Sequence, residues 1–187
     1  MKGMTNVFGE LDIKDRWNLK IIKVEPHEVK SYTPIGMAYV MMRNASFESK
    51  DISLSYKYGC VNTRDTFTIE CEEDSSACIV DFPGLSLLET RIFIQECLDM
   101  GNLSYMDGGT NTTAINPGRL GDPVINYVHF PAHMYQTLHT HPSHRVGLVI
   151  RGNGKIELDN KEFYDINEGE IFFMRRNCLH NFICEDE

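Results

Sequence analysis

The chain has 187 residues, a net charge of −9 and a pI near 5.2, length enough for one compact domain or two small ones. The acidic balance excludes a nucleic-acid partner and argues equally against a membrane-surface one, because phosphate recognition needs a basic face. An apolar fraction of 42% with no long apolar run is that of a globular protein with a core rather than a helical membrane protein.

The N-terminus, MKGMTNVFGELDIKDRW, has no apolar segment of the signal-peptide kind, which predicts a cytoplasmic protein. The six cysteines contain no CxxC pair and are expected to be free thiols. Sequons at Asn44, Asn102 and Asn111 read as chance matches in such a compartment. Predicted strands then follow at Leu19–Val24, Met37–Met42, Ile52–Tyr58, Thr66–Glu70 and Ala77–Phe82, rich in β-branched and aromatic residues and bounded by turn formers. Ser86–Met100 has partial helical periodicity, but the β-rich TRIFI inside it makes Arg91–Gln95 a strand candidate as well. Residues 101–123 carry Gly108-Gly109, Pro117-Gly118 and Gly121-Asp122-Pro123, and read as a linker. Further strands are predicted at Ile125–Phe130, Val146–Ile150, Lys155–Leu158 and Ile171–Met174. The pattern is all-β, a sandwich or barrel, divided into a β-rich N-terminal region (1–100), the linker (101–123) and a C-terminal domain (124–187).

The chemistry concentrates in the C-terminal domain. Alternate side chains of a strand share a face, so His139 and His141 project together. A third imidazole, His180, follows the apolar run Ile171–Met174. Three neutral imidazoles suit a divalent transition metal (Fe, Mn, Ni or Zn) and leave coordination positions open for chemistry. An isolated HxH is more often a surface pair than a ligand set.

The surroundings change that balance. This region resembles the two signature motifs of the cupin superfamily, a double-stranded β-helix or jelly-roll barrel. In the first motif His139-x-His141 is followed by Arg145 at the position of the family's glutamate and by Gly152 at the closing glycine. In the second, Gly169 is followed by Arg175, Asn177 and His180 at the spacing of proline, glycine and histidine. Gly152-Asn153-Gly154 and Leu158–Glu162 resemble the hairpin turns between them. The departures are His133 for the first glycine, Arg145 for the glutamate ligand, and Arg175 and Asn177 for proline and glycine. The resemblance implies a three-histidine metal site, or a decayed one. Retention is favoured because the histidines keep their places while only the carboxylate is lost.

Arg145 has two readings of equal weight: an anchor for an anionic substrate, since guanidinium pairs in bidentate fashion with carboxylate or phosphate, or a partner of a buried acid or of solvent. Tyr135 and Gln136 are expected to line the entrance and contact the substrate. His144 is expected to be a loop histidine rather than a fourth ligand. The N-terminal region lacks HxH and is either a silent second cupin, giving a bicupin-like chain, or a source of edge strands for the C-terminal barrel. The barrel edge left after His180 needs a cover from the N-terminal region or from a homodimer partner. The expected function is that of a metal-dependent enzyme of oxygenase type acting on a small anionic molecule. A three-histidine site with a nearby arginine is similar to the thiol-dioxygenase arrangement within the cupins. The alternative is a non-enzymatic ligand-binding or sensor module.

Overall fold

A computed structural model of the chain describes residues 3–15, 18–86, 89–95 and 100–185. Its first strands are Met4–Asn6 (β1), Glu10–Ile13 (β2), Leu19–Val24 (β3), Val29–Tyr32 (β4), Met37–Ser49 (β5), Ser53–Thr63 (β6), Phe67–Phe82 (β7) and Arg91–Gln95 (β8). They are followed by Leu103–Ser104 (β9), Thr110–Ile115 (β10), Ile125–His129 (β11), Arg145–Leu148 (β12), Asn153–Leu158 (β13), Phe163–Asn167 (β14), Ile171–Met174 (β15) and His180–Ile183 (β16). One 3-10 turn, Met106–Gly108, is the only helical element among the described residues. The all-β expectation holds. No helix of the described residues is long and apolar enough to cross a membrane.

The chain divides into two compact units, one of residues 7–98 and 113–126, the other of residues 1–6, 99–112 and 127–187. In the first, the strands run β2-β3-β7-β5-β6-β8 in one antiparallel sheet, with β4 also paired to β7. Alternation in β3 (LKIIKV) and β5 (MAYVMM) buries Ile22, Val24, Val40 and Met42 together with Val61, Ile69 and Ile79. Phe47 and Phe67 stack within this core at 5.0 Å between ring centroids.

Three expectations are corrected along residues 66–123. Thr66–Glu70 and Ala77–Phe82 are parts of the single strand β7. The acidic stretch between them has the composition of a loop, but a register shift between Arg43 and Ala45 absorbs the extra residues. Asp74 is held there by the Arg43 guanidinium at 2.8 Å. The helical periodicity of Ser86–Met100 yields instead a strand at Arg91–Gln95, paired with β6; residues 87–88 and 96–99 lie outside the described set. Residues 101–123, expected to link, contain β9, the 3-10 turn and β10. The β-branched run in Thr110–Ile115 outweighs the glycines and asparagines that suggest a loop.

The second unit contains two facing sheets. One has the order β1-β15-β12 and the other β14-β13-β16, all antiparallel. Met4 and Met174 from the first sheet pack with Ile156, Leu158 and Ile166 from the second, and Phe172 and Phe182 join this core. The hairpin anticipated at Leu158–Glu162 joins β13 to β14 and puts Lys161 at φ 62°. Strand β1, from the far N-terminus of the chain, lies along β15 with Met4 opposite Met174. The free side of β16 receives Tyr135 and His139 as isolated bridges to Ile183 and His180. Five described cysteines are free thiols, and Cys97 lies outside the described residues. Burial pushes the Cys71 thiol up to about 11 and the Cys60 thiol up to about 12.

Candidate metal centre

His139 and His180 sit opposite one another in a reciprocal backbone pair, His139 N to His180 O at 2.9 Å and His180 N to His139 O at 3.0 Å. Such a pair fixes two ligand-bearing backbones at about 5.5 Å between Cα atoms. His141, two residues beyond His139, shares its face. Its carbonyl accepts from Asn177 N at 2.7 Å, which ties it to the turn that leads into His180. The three rings stand 4.5, 4.9 and 5.3 Å apart between centroids, and their candidate ligand nitrogens all lie within 4.8 Å of one another.

The tautomers are set by the backbone. Nδ1 of His139 is 2.8 Å from the Thr137 carbonyl, and Nδ1 of His180 is 2.8 Å from the Cys178 carbonyl. With Nδ1–H donated to a carbonyl, each ring presents the Nε2 lone pair, which is how outer-shell carbonyls orient metal-bound histidines. His180 is 1% exposed, and its Nε2 is buried without a hydrogen-bond partner among the described residues. A buried polar atom in that condition calls for an explanation, and an ion drawn between the three rings supplies one. Burial, then Arg145, then His139 and His180 hold the His141 imidazole down to about 4, well below the ordinary 6.5. Burial also lowers His180. The His141 and His180 rings are therefore held toward the neutral form, the form that binds a metal. The donor set fits a divalent transition ion, and it contains no carboxylate.

The replaced glycines explain themselves in the backbone. His133 has φ 59° and Asn177 has φ 58°, both left-handed. Asparagine and histidine are among the non-glycine residues that tolerate this region best, so both turns survive the substitution. The Asn177 turn is closed by Cys178 N to Arg175 O at 3.3 Å and held by Arg175 N to Gly3 O at 2.9 Å.

Arg145 opens β12 opposite Met174, on the same strand face as Gly147 opposite Phe172. Its register therefore matches the face that carries Met174 and Phe172 into the core. Its side chain is exposed and donates to Ser143 Oγ at 3.0 Å. Its charge contributes to lowering both His141 and His180. Tyr135 and Gln136 are not brought to the imidazoles together. The Tyr135 hydroxyl donates to the Glu157 carboxylate. Glu157 pairs with Asn181 and so projects from the opposite face of β13–β16 to the one that carries His180. Gln136 is buried, its Oε1 accepts from Phe182 N at 3.4 Å, and its Nε2 has no hydrogen-bond partner among the described residues. A one-residue alternation separates the two, and proximity in sequence conceals it. His144 lies outside the cluster: its Nδ1 accepts from Arg176 N at 3.1 Å and its ring packs 5.3 Å from Phe173. Among the described residues, the three histidines form the sole group of this kind.

Two facing antiparallel sheets of this kind also occur in known proteins. The family model described as AraC-like ligand binding domain matches residues 121–187. A cupin 2 conserved barrel domain protein from Leptotrichia buccalis superposes with a TM-score of 0.58 at 14% identity, over 98% of this chain and 83% of that one. The chain has the cupin fold. A vicilin from Solanum melongena, with different anionic ligands in structurally similar pockets, gives a TM-score of 0.53 at 11% identity, over 88% of this chain and 70% of that one. The salicylate 1,2-dioxygenase of Pseudoaminobacter salicylatoxidans, in complex with gentisate, gives 0.55 at 10% identity, over 90% of this chain and 66% of that chain. No curated protein matches the sequence. Sequence reasoning missed Thr137, whose carbonyl meets His139, and Asp107, whose carboxylate accepts from Thr137. Asp107-Gly108-Gly109 signals only a turn.

Proposed function

We propose that this cupin holds a divalent transition metal on His139, His141 and His180, and acts as an oxygenase-type enzyme on a small anionic molecule. The observation that carries the reading is the buried, unpartnered Nε2 of His180 facing two further imidazoles. A redox-active ion on three histidines would keep positions open for dioxygen and substrate. The chain's own residues would hold the ion, keep its ligands neutral and present Arg145 as a fixed cation. Since imidazole ligands carry no charge, the ion would keep its full charge, and an anionic group between it and Arg145 would relieve the repulsion. Carboxylate is the group best matched to the guanidinium fork. The dioxygenase neighbour, described in complex with gentisate, lends support from the fold, and the vicilin's anionic ligands support the charge of the substrate. The N-terminal unit, whose strands form one antiparallel sheet, would be a silent partner with no histidine cluster among its described residues. A cytoplasmic homodimer completes the reading.

The AraC-like match favours a second reading, a sensor that binds the same anion without turning it over. One experiment separates the two. Protein purified without chelator is assayed for metal, and its iron-loaded form for oxygen uptake on addition of small carboxylates. Stoichiometric metal with substrate-dependent uptake supports the enzyme. Carboxylate binding without uptake supports the sensor. Absence of any transition metal after loading rejects the metal site itself.

A further inference from the structure

The segment before the HxH is out of step with its partner strand. Tyr135 bridges Ile183 and His139 bridges His180, so four residues advance on one side against three on the other. The extra residue makes a β-bulge, the device by which strands re-aim side chains beside functional sites. Backbone groups inside such a bulge lose their ladder partners. Thr137 lies in it. Its carbonyl turns onto His139 Nδ1 at 2.8 Å. Its N–H donates to Asp107 Oδ2 at 2.7 Å, and its hydroxyl to Asp107 Oδ1 at 3.1 Å. One carboxylate thus grips both donors of the residue that orients a ligand ring, from 30 positions away in sequence. Asp107 does so from a left-handed backbone, φ 55° and ψ 32°. For a residue other than glycine this conformation costs energy and persists where the surroundings enforce it. The turn is closed by Gly109 N to Met106 O at 3.1 Å and by Tyr105 N to Gly109 O at 2.8 Å.

We infer that Asp107 is a positioning residue for the metal centre: by clamping the Thr137 bulge it fixes the Nδ1–H tautomer and the ring orientation of His139. This rests on the metal site proposed above, but it makes a claim about the His139 ring that holds without metal. Outer-shell partners of metal-bound histidines contribute roughly 10- to 100-fold in affinity. Asp107 acts one bond further out, so Asp107→Ala should weaken metal binding by roughly three- to tenfold. Asp107→Asn keeps an acceptor and tolerates the left-handed backbone, and should restore most of the loss. Thr137→Val, which removes the hydroxyl and keeps the backbone, should fall between the two.

The test uses the full chain. Cobalt(II) is titrated against a competing chelator while its visible absorption reports the ligand geometry. In metal-free protein, 15N shifts of the imidazole nitrogens report the His139 tautomer. A weaker cobalt affinity, an altered spectrum and a mixed tautomer in Asp107→Ala, with recovery in Asp107→Asn, support the inference. Asp107→Ala and Thr137→Val indistinguishable from wild type in tautomer, affinity and spectrum overturn it. If wild type binds no cobalt, the metal reading fails, and the tautomer comparison alone decides the positioning role. If Asp107→Ala does not fold, Thr137→Val and Asp107→Asn decide the matter, with unchanged tautomer in Thr137→Val counting against the inference.

Discussion

Gly147→Ala should damage the metal centre through packing alone. Gly147 lies opposite Phe172 in the β12–β15 pair. A Cβ added to it would stand 2.2 Å from Phe172 Cζ, 2.4 Å from Cε1 and 3.1 Å from Cε2. Real Cβ atoms do not approach an aromatic carbon so closely, so the ring must move. It has little freedom to do so, because Phe172 packs 5.8 Å from Phe182 between centroids, and Phe182 stacks on Phe130 at 5.1 Å. Phe182 in turn lies edge-on to His180 at 5.8 Å. Displacement of Phe172 is thereby passed to the ligand ring. Overpacking of this kind costs about 1–3 kcal/mol, while removing a strand glycine returns about 0.5–1 kcal/mol. A net loss of up to about 2.5 kcal/mol follows from those two figures, with weaker metal binding as its companion. Urea unfolding of the metal-free protein measures the first and a chelator competition the second. Gly147→Ala combined with Phe172→Leu should recover both, since the smaller side chain vacates the space. Wild-type stability and wild-type metal affinity in Gly147→Ala would refute the reasoning.

Three further outcomes follow from the site. His141→Ala should reduce bound transition metal from about one ion per chain to less than about a tenth of that, because a two-histidine site binds far more weakly. Its circular dichroism should stay unchanged, and retention of metal at the wild-type level would remove His141 from the ligand set. Arg145→Glu should tighten metal binding by supplying a carboxylate where the cupin motif has one, and should weaken anion binding about 10- to 100-fold by loss of a charged hydrogen-bond partner; calorimetry with metal and with a small carboxylate reads both, and an unchanged anion affinity would discard the anchor role. Metal-free stability should fall as the pH drops from about 6.5 to about 4. The folded His141 ring is held near 4, whereas an unfolded imidazole takes up its proton near 6.5. In that window the unfolded chain binds the extra proton, so acid favours unfolding. His141→Gln should flatten this part of the profile in thermal melts, and equal slopes in the two proteins would contradict it.

The three-histidine cluster is legible in the sequence because its logic is local. The sequence places the HxH in a strand; in the structure His139 makes only an isolated bridge to His180 and His141 lies outside the named strands, while the cupin spacing brings in His180 and the Leu158–Glu162 hairpin. Features set by non-local pairing are hidden. Strand β1 is three residues, MTN, with no periodic signature; only pairing with β15 makes it a strand. The acidic run within β7 has a loop's composition, and only Arg43 and the register shift account for it. Tyr135 and Gln136 are neighbours in sequence, but alternation parts them. The Tyr135 hydroxyl goes to Glu157, while Gln136 is buried against the backbone of Phe182. Asp107 shows nothing beyond turn propensity. Its significance comes from a bulge, and a bulge is a property of two strands that sequence period alone does not reveal.

The loss of the glutamate changes what the site asks of its ligand. A cupin site with one carboxylate neutralises part of the charge of its ion before any substrate arrives. Here the candidate donors are imidazoles, two of them with tautomers fixed by backbone carbonyls, and the residue at the glutamate position is a cation. Every charge that these residues contribute is then zero or positive. Repulsion between Arg145 and a bound ion is eased by an anion that both can reach. Metal and anion would therefore bind with positive coupling, each raising the affinity of the other by the same factor. The enzyme and sensor readings share this requirement. They differ in whether the ion does redox chemistry once the anion is in place.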